Sequence, residues 1–195
     1  MIFPLRQTAL CSMLLFVLAG CGEPVISRVD EPSPSRFEAY YSGMAADKDL
    51  FVAVRGTPFG GTEKNFAPRV AASVQPPAWL PRPAQIVPLT TTSRVEPPFR
   101  VVLLFGAPGN VGGAEACKHG NTVPVVNGPL PRGSVVTVQG AVCYNDEYVT
   151  EAVGEVTNVS GPDDPRFKEM IHELSASLMP PASDNTSRGG SRSGR

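Results

Sequence analysis

The sequence has no apolar run long enough to cross a membrane and no excess of basic charge. Its longest apolar run covers the twelve residues from Thr8 to Ala19, whereas a helix that spans a bilayer needs about 20. The formal net charge is -1, which gives no overall positive field for gathering phosphates. We therefore expect neither a membrane-spanning helix nor a nucleic-acid partner.

Residue types that commonly build reaction centres are also scarce. The chain contains only two histidines, His119 and His172. No serine stands in the GxSxG pattern of a nucleophile elbow. The glycine-rich stretch GAPGNVGG (106–113) has neither the GxxxxGK[ST] nor the GxGxxG spacing of a phosphate-binding loop. We therefore expect no catalytic residue, no metal and no cofactor, and we interpret 106–113 as a flexible loop.

The N-terminal segment carries the most specific motif. Arg6 precedes the apolar run and small residues follow it, as is typical of a signal peptide. The sequence Leu18-Ala19-Gly20-Cys21 resembles the bacterial lipobox, in which the cysteine is acylated and the chain is cleaved before it. This resemblance implies that residues 1–20 are a lipoprotein signal peptide and that Cys21 carries the lipid. The alternative is an ordinary secretory signal that leaves Cys21 as a free or disulfide-bonded thiol.

The lipobox resemblance also predicts a location. Each buried methylene contributes about 0.8 kcal/mol, so that two or more acyl chains hold a protein stably on a membrane. We expect a protein anchored by its lipid to a membrane of the bacterial cell envelope, facing the periplasm. Gly22 follows Cys21 in place of the aspartate that retains lipoproteins at the inner membrane of enteric bacteria, which favours the outer membrane.

Two cysteines remain once Cys11 is assigned to the signal peptide and Cys21 to the lipid. An oxidising compartment favours a disulfide between Cys117 and Cys143. Unpaired buried thiols are one alternative. Metal ligation by these cysteines with His119 is another, although a fourth ligand and the usual CxxC spacing are missing.

Composition divides the mature chain into a tether, one domain and a tail. Residues 21–36 combine prolines, serines and charges, and we predict a flexible tether there. Residues 37–181 are predicted to form a single α+β domain. Within it, the proline-rich connection 76–98 excludes a central strand or helix over most of its length. Residues 182–195 are expected to be a disordered tail rich in Ser, Gly and Arg.

The domain is predicted to contain a roughly four-stranded mixed or antiparallel sheet with two helices on one face, in the order βαβββα. Glu151 and Glu155 share one face of the last strand and are expected to point to water if that face is solvated. The last helix is the best defined, because Asp164 can cap it and Pro165 suits its first position. The predicted elements are strands at 51–54, 100–105, 134–145 and 148–159 and helices at 66–75 and from Pro165, the latter with the apolar stripe Phe167, Met170, Ile171, Leu174 and Leu178.

Two stretches, FRVVLLFGAPG and SGPDDPRFKEMIHELSASLMPP, resemble uncharacterised envelope lipoproteins of α-proteobacteria. The arrangement of lipobox and small domain is similar to that of the lipopolysaccharide-assembly lipoprotein and of ABC-transporter auxiliary lipoproteins. Our leading hypothesis is a non-catalytic domain that binds a protein or assembly partner, such as an envelope complex. The alternatives are a periplasmic carrier of a small hydrophobic or lipid ligand held between helices and sheet, and a hydrolase with a titratable cluster near His119.

Overall fold

The structure is a computed structural model that describes residues 23–28, 49–76, 83, 85–93 and 97–179. The predicted signal peptide, Cys21 and the predicted tail 182–195 lie outside the described residues, as does most of the predicted tether. Within the described ranges, the helices are too short or too polar to cross a membrane.

One mixed sheet organises the described part of the chain, in the strand order β1-β6-β5-β4-β2-β3. Strands β4, β2 and β3 run parallel to one another, whereas β1, β6, β5 and β4 pair antiparallel. The elements are β1 Val25–Arg28, β2 Leu50–Arg55, α1 Glu63–Ser73, β3 Ile86–Leu89, β4 Phe99–Phe105, α2 Gly113–His119, β5 Val135–Tyr144, β6 Glu147–Thr157 and α3 Pro165–Leu178.

The predicted fold was wrong in strand number, helix number and element order. The described residues form six strands and three helices in the order ββαββαββα, not four strands and two helices in the order βαβββα. Strand β1 lies inside the predicted tether and pairs with β6, with Val25 opposite Glu155. Strand β3 lies inside the proline-rich connection, where Pro88 is tolerated because β3 is at the edge of the described sheet.

Helices α1 and α3 cover one face of the sheet and bury the larger core. Helix α3 begins directly after Asp164, which accepts a hydrogen bond from the Arg166 N–H at 3.1 Å. All five residues of its predicted apolar stripe are buried. The rings of Phe66 on α1 and Phe105 on β4 lie 4.9 Å apart, and Phe167 on α3 stacks 6.0 Å from Phe105. These contacts join both helices to the middle of the sheet.

Helix α2 covers the opposite face, which the predicted two-layer fold left open. Cys117 on α2 and Cys143 on β5 form a disulfide with a Cα–Cα distance of 5.5 Å, the pair expected from the cysteine count. A second, smaller core beneath α2 includes Val102 and Leu104 of β4 and Ala116 of the helix. Since β4 is apolar on both faces, it requires cover on both sides.

Glu151, which was expected to point to water if its face of the sheet is solvated, is half-buried and contacts the start of α2. Its carboxylate accepts a hydrogen bond from the Gly113 N–H at the start of α2. A Cβ atom at Gly113 would lie 2.7 Å from the Glu151 carboxylate and 3.0 Å from the Tyr148 ring. Glycine therefore allows the helix to approach β6 closely, and a negative charge meets the positive end of the helix dipole. Glu155, by contrast, is exposed.

Candidate functional site

The glycines after β2 and β4 allow the chain segment at Val126 to pack closely against the ends of these strands. Gly56 and Gly106 follow two adjacent parallel strands, at the edge where α/β sheets often bind phosphates. Both adopt positive φ, 87° and 66°. The Val126 N–H donates to the Phe105 carbonyl at 3.0 Å, and the Val126 carbonyl accepts from the Thr57 N–H at 2.7 Å. A Cβ atom at Gly106 would overlap the Val126 side chain, so these glycines are explained by packing.

The strongest candidate site is a pocket of about 100 Å³ on the α2 face of the sheet. We call it the arginine pocket, because Arg55 and Arg100 line it from neighbouring strands. Ala53 of β2 and Val102 of β4, which are register partners, also line it. The other lining residues come from β3 and the turn after it and from the end of α2 and the turn after it: Leu89, Ser93, Ala116, Cys117, Lys118, His119, Gly120, Asn121 and Thr122.

Arg55 forms hydrogen bonds with β2, with the end of β3 and with the turn after α2 at one side of the arginine pocket. The residue is 6% exposed. Its Nη1 donates to the Leu89 carbonyl at 3.2 Å and to the Val54 carbonyl at 3.0 Å. Its Nε donates to the Asn121 Oδ1 at 2.9 Å. These bonds hold the end of β3 and the turn after α2 against β2, and they fix the guanidinium plane.

Arg100 is 8% exposed and has fewer partners. Its Nη2 donates to the Cys117 carbonyl at 2.7 Å, and its Nη1 donates to the Pro97 carbonyl at 3.3 Å. Cys117 lies in the last turn of α2, where carbonyls lack helical donors and the dipole favours a cation. Within the described ranges, Arg100 makes no salt bridge. Among the described residues, its charge is therefore compensated by carbonyl dipoles alone.

Besides Asn121, the remaining polar side chains of the arginine pocket are an ammonium group, an imidazole and two hydroxyls. Lys118 and His119 are exposed beside it, and Ser93 and Thr122 contribute hydroxyls. Among the described lining residues there is no Asp or Glu. Within this part of the chain, His119, the centre of the hydrolase hypothesis, thus has no lining carboxylate to hold its ring as in a Ser-His-Asp triad. The arrangement suits binding of an anion better than proton transfer.

Three carboxylates elsewhere have structural partners. Glu151 caps α2, as described above. Glu63 accepts from the Gly56 N–H at 3.1 Å and the Thr91 N–H at 3.0 Å. Partial burial acts to raise the pKa of Asp164, but hydrogen bonds from the Ser160 N–H and from Arg166, with the Arg166 charge, outweigh it and hold the pKa below its ordinary value.

Two residues singled out in the sequence, Cys117 and His119, line the arginine pocket. Cys117 lines it and is 2% exposed, and its partner Cys143 is fully buried. Because their sulfurs are bonded to each other, they are not thiolate ligands beside His119. No three His, Cys, Asp or Glu side chains group as a metal site would require in the part of the chain that is described.

No sequence motif indicated the two arginines of the arginine pocket. Arg55 ends the strand LFVAVR, and Arg100 is the second residue of the strand FRVVLLF. A charge inside each apolar strand was the available clue. Neither position belongs to a recognisable motif, because the two arginines become neighbours only when β2 and β4 pair.

The space between helices and sheet, where the carrier hypothesis expected a ligand, is filled by side chains. Phe66 is 4% exposed, and Phe105 and Phe167 are fully buried. The Phe59 ring packs edge-on to Phe167 with centroids 5.1 Å apart. This interface of the described residues is a packed core.

No family model and no curated protein matches the sequence. Among solved structures, the PelC dodecamer from Paraburkholderia phytofirmans is similar to 82% of this chain and 96% of that chain, with 12% identity and a TM-score of 0.34. A likeness this distant carries no argument about the family, the site or the function of this chain.

Proposed function

We propose that the protein is a membrane-anchored lipoprotein of the bacterial envelope whose domain binds a protein or assembly partner without catalysing a reaction. The observation that carries the binding role is the arginine pocket. It is lined by the cationic side chains of Arg55 and Arg100 on neighbouring strands and of Lys118 at the end of α2, and no carboxylate is among its described lining residues. The anchor rests on the lipobox that ends at Cys21, and Gly22 favours the outer membrane.

The distance between Cys21 and the sheet supports a domain held close to the membrane. Strand β1 begins at Val25, four residue steps after Cys21. At no more than about 3.6 Å per step, Val25 lies within about 14 Å of a lipid-bearing Cys21. Neighbouring strands are about 4.8 Å apart, so β4 and β2 lie about 14 and 19 Å across the sheet from β1. The arginine pocket is thus remote from the anchored edge and accessible to a partner in the periplasm.

Metabolic labelling with palmitate tests the anchor. The wild-type chain should incorporate the label, and Cys21→Ala should abolish incorporation because the acyl acceptor is lost. Cys11→Ala is the matched control, since it removes another N-terminal thiol and should leave labelling intact. Label retained in Cys21→Ala, or absent from the wild type, would overturn the anchor.

Site-specific photo-crosslinking in intact cells tests the binding role. A benzophenone amino acid at Lys118, beside the arginine pocket, should yield a discrete adduct after pull-down of the chain. The same group at Glu169, exposed on α3 on the other face of the sheet, is the control. A Lys118 adduct that is absent from the Glu169 sample supports the proposal. Identical adducts from both positions, or none from Lys118, would count against it.

A further inference from the structure

We propose that the arginine pocket binds one small oxyanion, a phosphate or a carboxylate group. The inference deepens the proposed binding function and rests on it for the biological role of the ligand. The chemistry of the pocket does not depend on the lipid anchor, so the two ideas can fail separately.

The first argument is the charge of Arg100. An arginine side chain stays charged in proteins and carries five N–H donors. Burying such a charge without a partner is costly. The two hydrogen bonds of Arg100, to the Cys117 and Pro97 carbonyls, use one N–H each. The other three lack a protein acceptor within the described ranges, in a side chain that is more than nine-tenths buried and lines the pocket.

The second argument is the match between the donors and an oxyanion. The planar guanidinium fork donates two parallel hydrogen bonds to a carboxylate or a phosphate, and such charge-assisted bonds are roughly twice as strong as neutral ones. Arg55 adds a second buried cation to the same pocket. The Ser93 hydroxyl accepts from the Thr90 N–H at 2.9 Å, and its own proton has no acceptor within the described ranges, so that it can be donated to a ligand.

The third argument is size and charge selection. The volume of about 100 Å³ is several times the roughly 10–15 Å³ that one water needs, and well below the roughly 300–1,000 Å³ of pockets for larger ligands. A cation is disfavoured by Arg55, Arg100 and Lys118. One small anion, or one anionic group at the end of a larger molecule, fits both limits.

The competing explanation is that Arg100 serves only to hold the end of α2 through the Cys117 carbonyl. That role requires one N–H and no ligand. The two explanations differ in whether the protein binds anions saturably and whether Arg100 responds to them.

Titration calorimetry of the full-length chain in detergent distinguishes them, with sodium phosphate and sodium acetate as probes and sodium chloride keeping the ionic strength constant. We expect saturable binding of at least one probe by the wild type. Arg100→Gln should weaken it by at least about tenfold, since a charge-assisted bond is lost. Arg132→Gln removes an exposed arginine outside the pocket and should change the Kd by less than about twofold.

A second measurement needs no variant, because Arg100→Gln also removes a contact to α2 and can unfold the chain. In NMR spectra of the wild type, the bound anion should shift the Arg100 Nε–H resonance and slow its exchange with water. The Nε–H resonance of Arg132 should not change.

The two probes identify the ligand class, because saturation by phosphate alone indicates a phosphate group and saturation by acetate alone indicates a carboxylate. The inference is overturned if neither anion saturates, or if the anions leave the Arg100 resonance unchanged. It is equally overturned if a folded Arg100→Gln variant binds as the wild type does. Anion binding without a Lys118 crosslink would leave this inference standing and remove the proposed partner, whereas a crosslink without anion binding would do the reverse.

Discussion

Loss of the disulfide between Cys117 and Cys143 should destabilise the domain by about 3.5 kcal/mol. The two cysteines are 26 residues apart in sequence. In the chain-entropy model, a loop of that length removes about 12 cal/mol/K from the unfolded chain, or about 3.5 kcal/mol at 25 °C. The effect should concentrate on α2, whose seven residues are too few to form a stable helix without tertiary contacts.

Urea unfolding of the full-length chain, followed by circular dichroism with and without dithiothreitol, measures this loss. With a slope of about 1–3 kcal/mol/M, the midpoint should fall by roughly 1–3 M on reduction. The Cys117→Ala/Cys143→Ala double variant is the control, because it lacks the disulfide and should be insensitive to the reductant. If alkylation shows both thiols free while the wild-type midpoint is unchanged, the disulfide does not hold α2 and the reasoning is wrong.

The other predictions concern the ends of helices and the larger core. Glu151→Gln should lower the free energy of unfolding by about 0.3–1 kcal/mol, because a carboxylate at the start of α2 is lost, whereas the exposed Glu155→Gln should stay within about 0.5 kcal/mol in urea unfolding. Phe167→Ala should lower it by about 3–5 kcal/mol, since the ring is fully buried, and an unchanged melting temperature would contradict the core assignment. The folded pKa of Asp164 is lowered, so its stabilisation is complete above the ordinary pKa of 3.8 and is lost as the pH falls through the folded pKa. Acid titration of Asp164→Asn should therefore show a shallower loss of stability below about pH 4 than the wild type, and equal slopes would refute this.

Elements held by contacts close in sequence could be predicted from the sequence. Helix α3 carries its own cap, its proline at the first position and its apolar stripe within one segment. Strand β5 lies within its predicted segment and β6 begins one residue before its own, because Asn145, with φ of 53°, makes a local turn between two runs rich in valine. For these elements the interacting residues are neighbours, so that periodicity and turn chemistry contain most of the information.

Other elements could not be predicted because their partners are distant in sequence. Strand β1 has only four residues and would not persist alone, but β6 supplies its hydrogen bonds from more than a hundred residues away. Strand β3 likewise depends on β2. Helix α2 depends on the disulfide to β5 and on Glu151, and its glycine-rich start is typical of a loop.

The sequence by itself determined the lipobox motif at Cys21, the cysteine pair left for a disulfide and the boundaries of α3. Each depends only on residues within one short segment or on the number of cysteines. Only the tertiary structure decided that the sheet has cover on both faces and that Arg55 and Arg100 meet in one pocket. Those arginines are 45 positions apart in the sequence. They line one pocket because β2 pairs in parallel with β4, and their charges are buried because α2 lies above both strands.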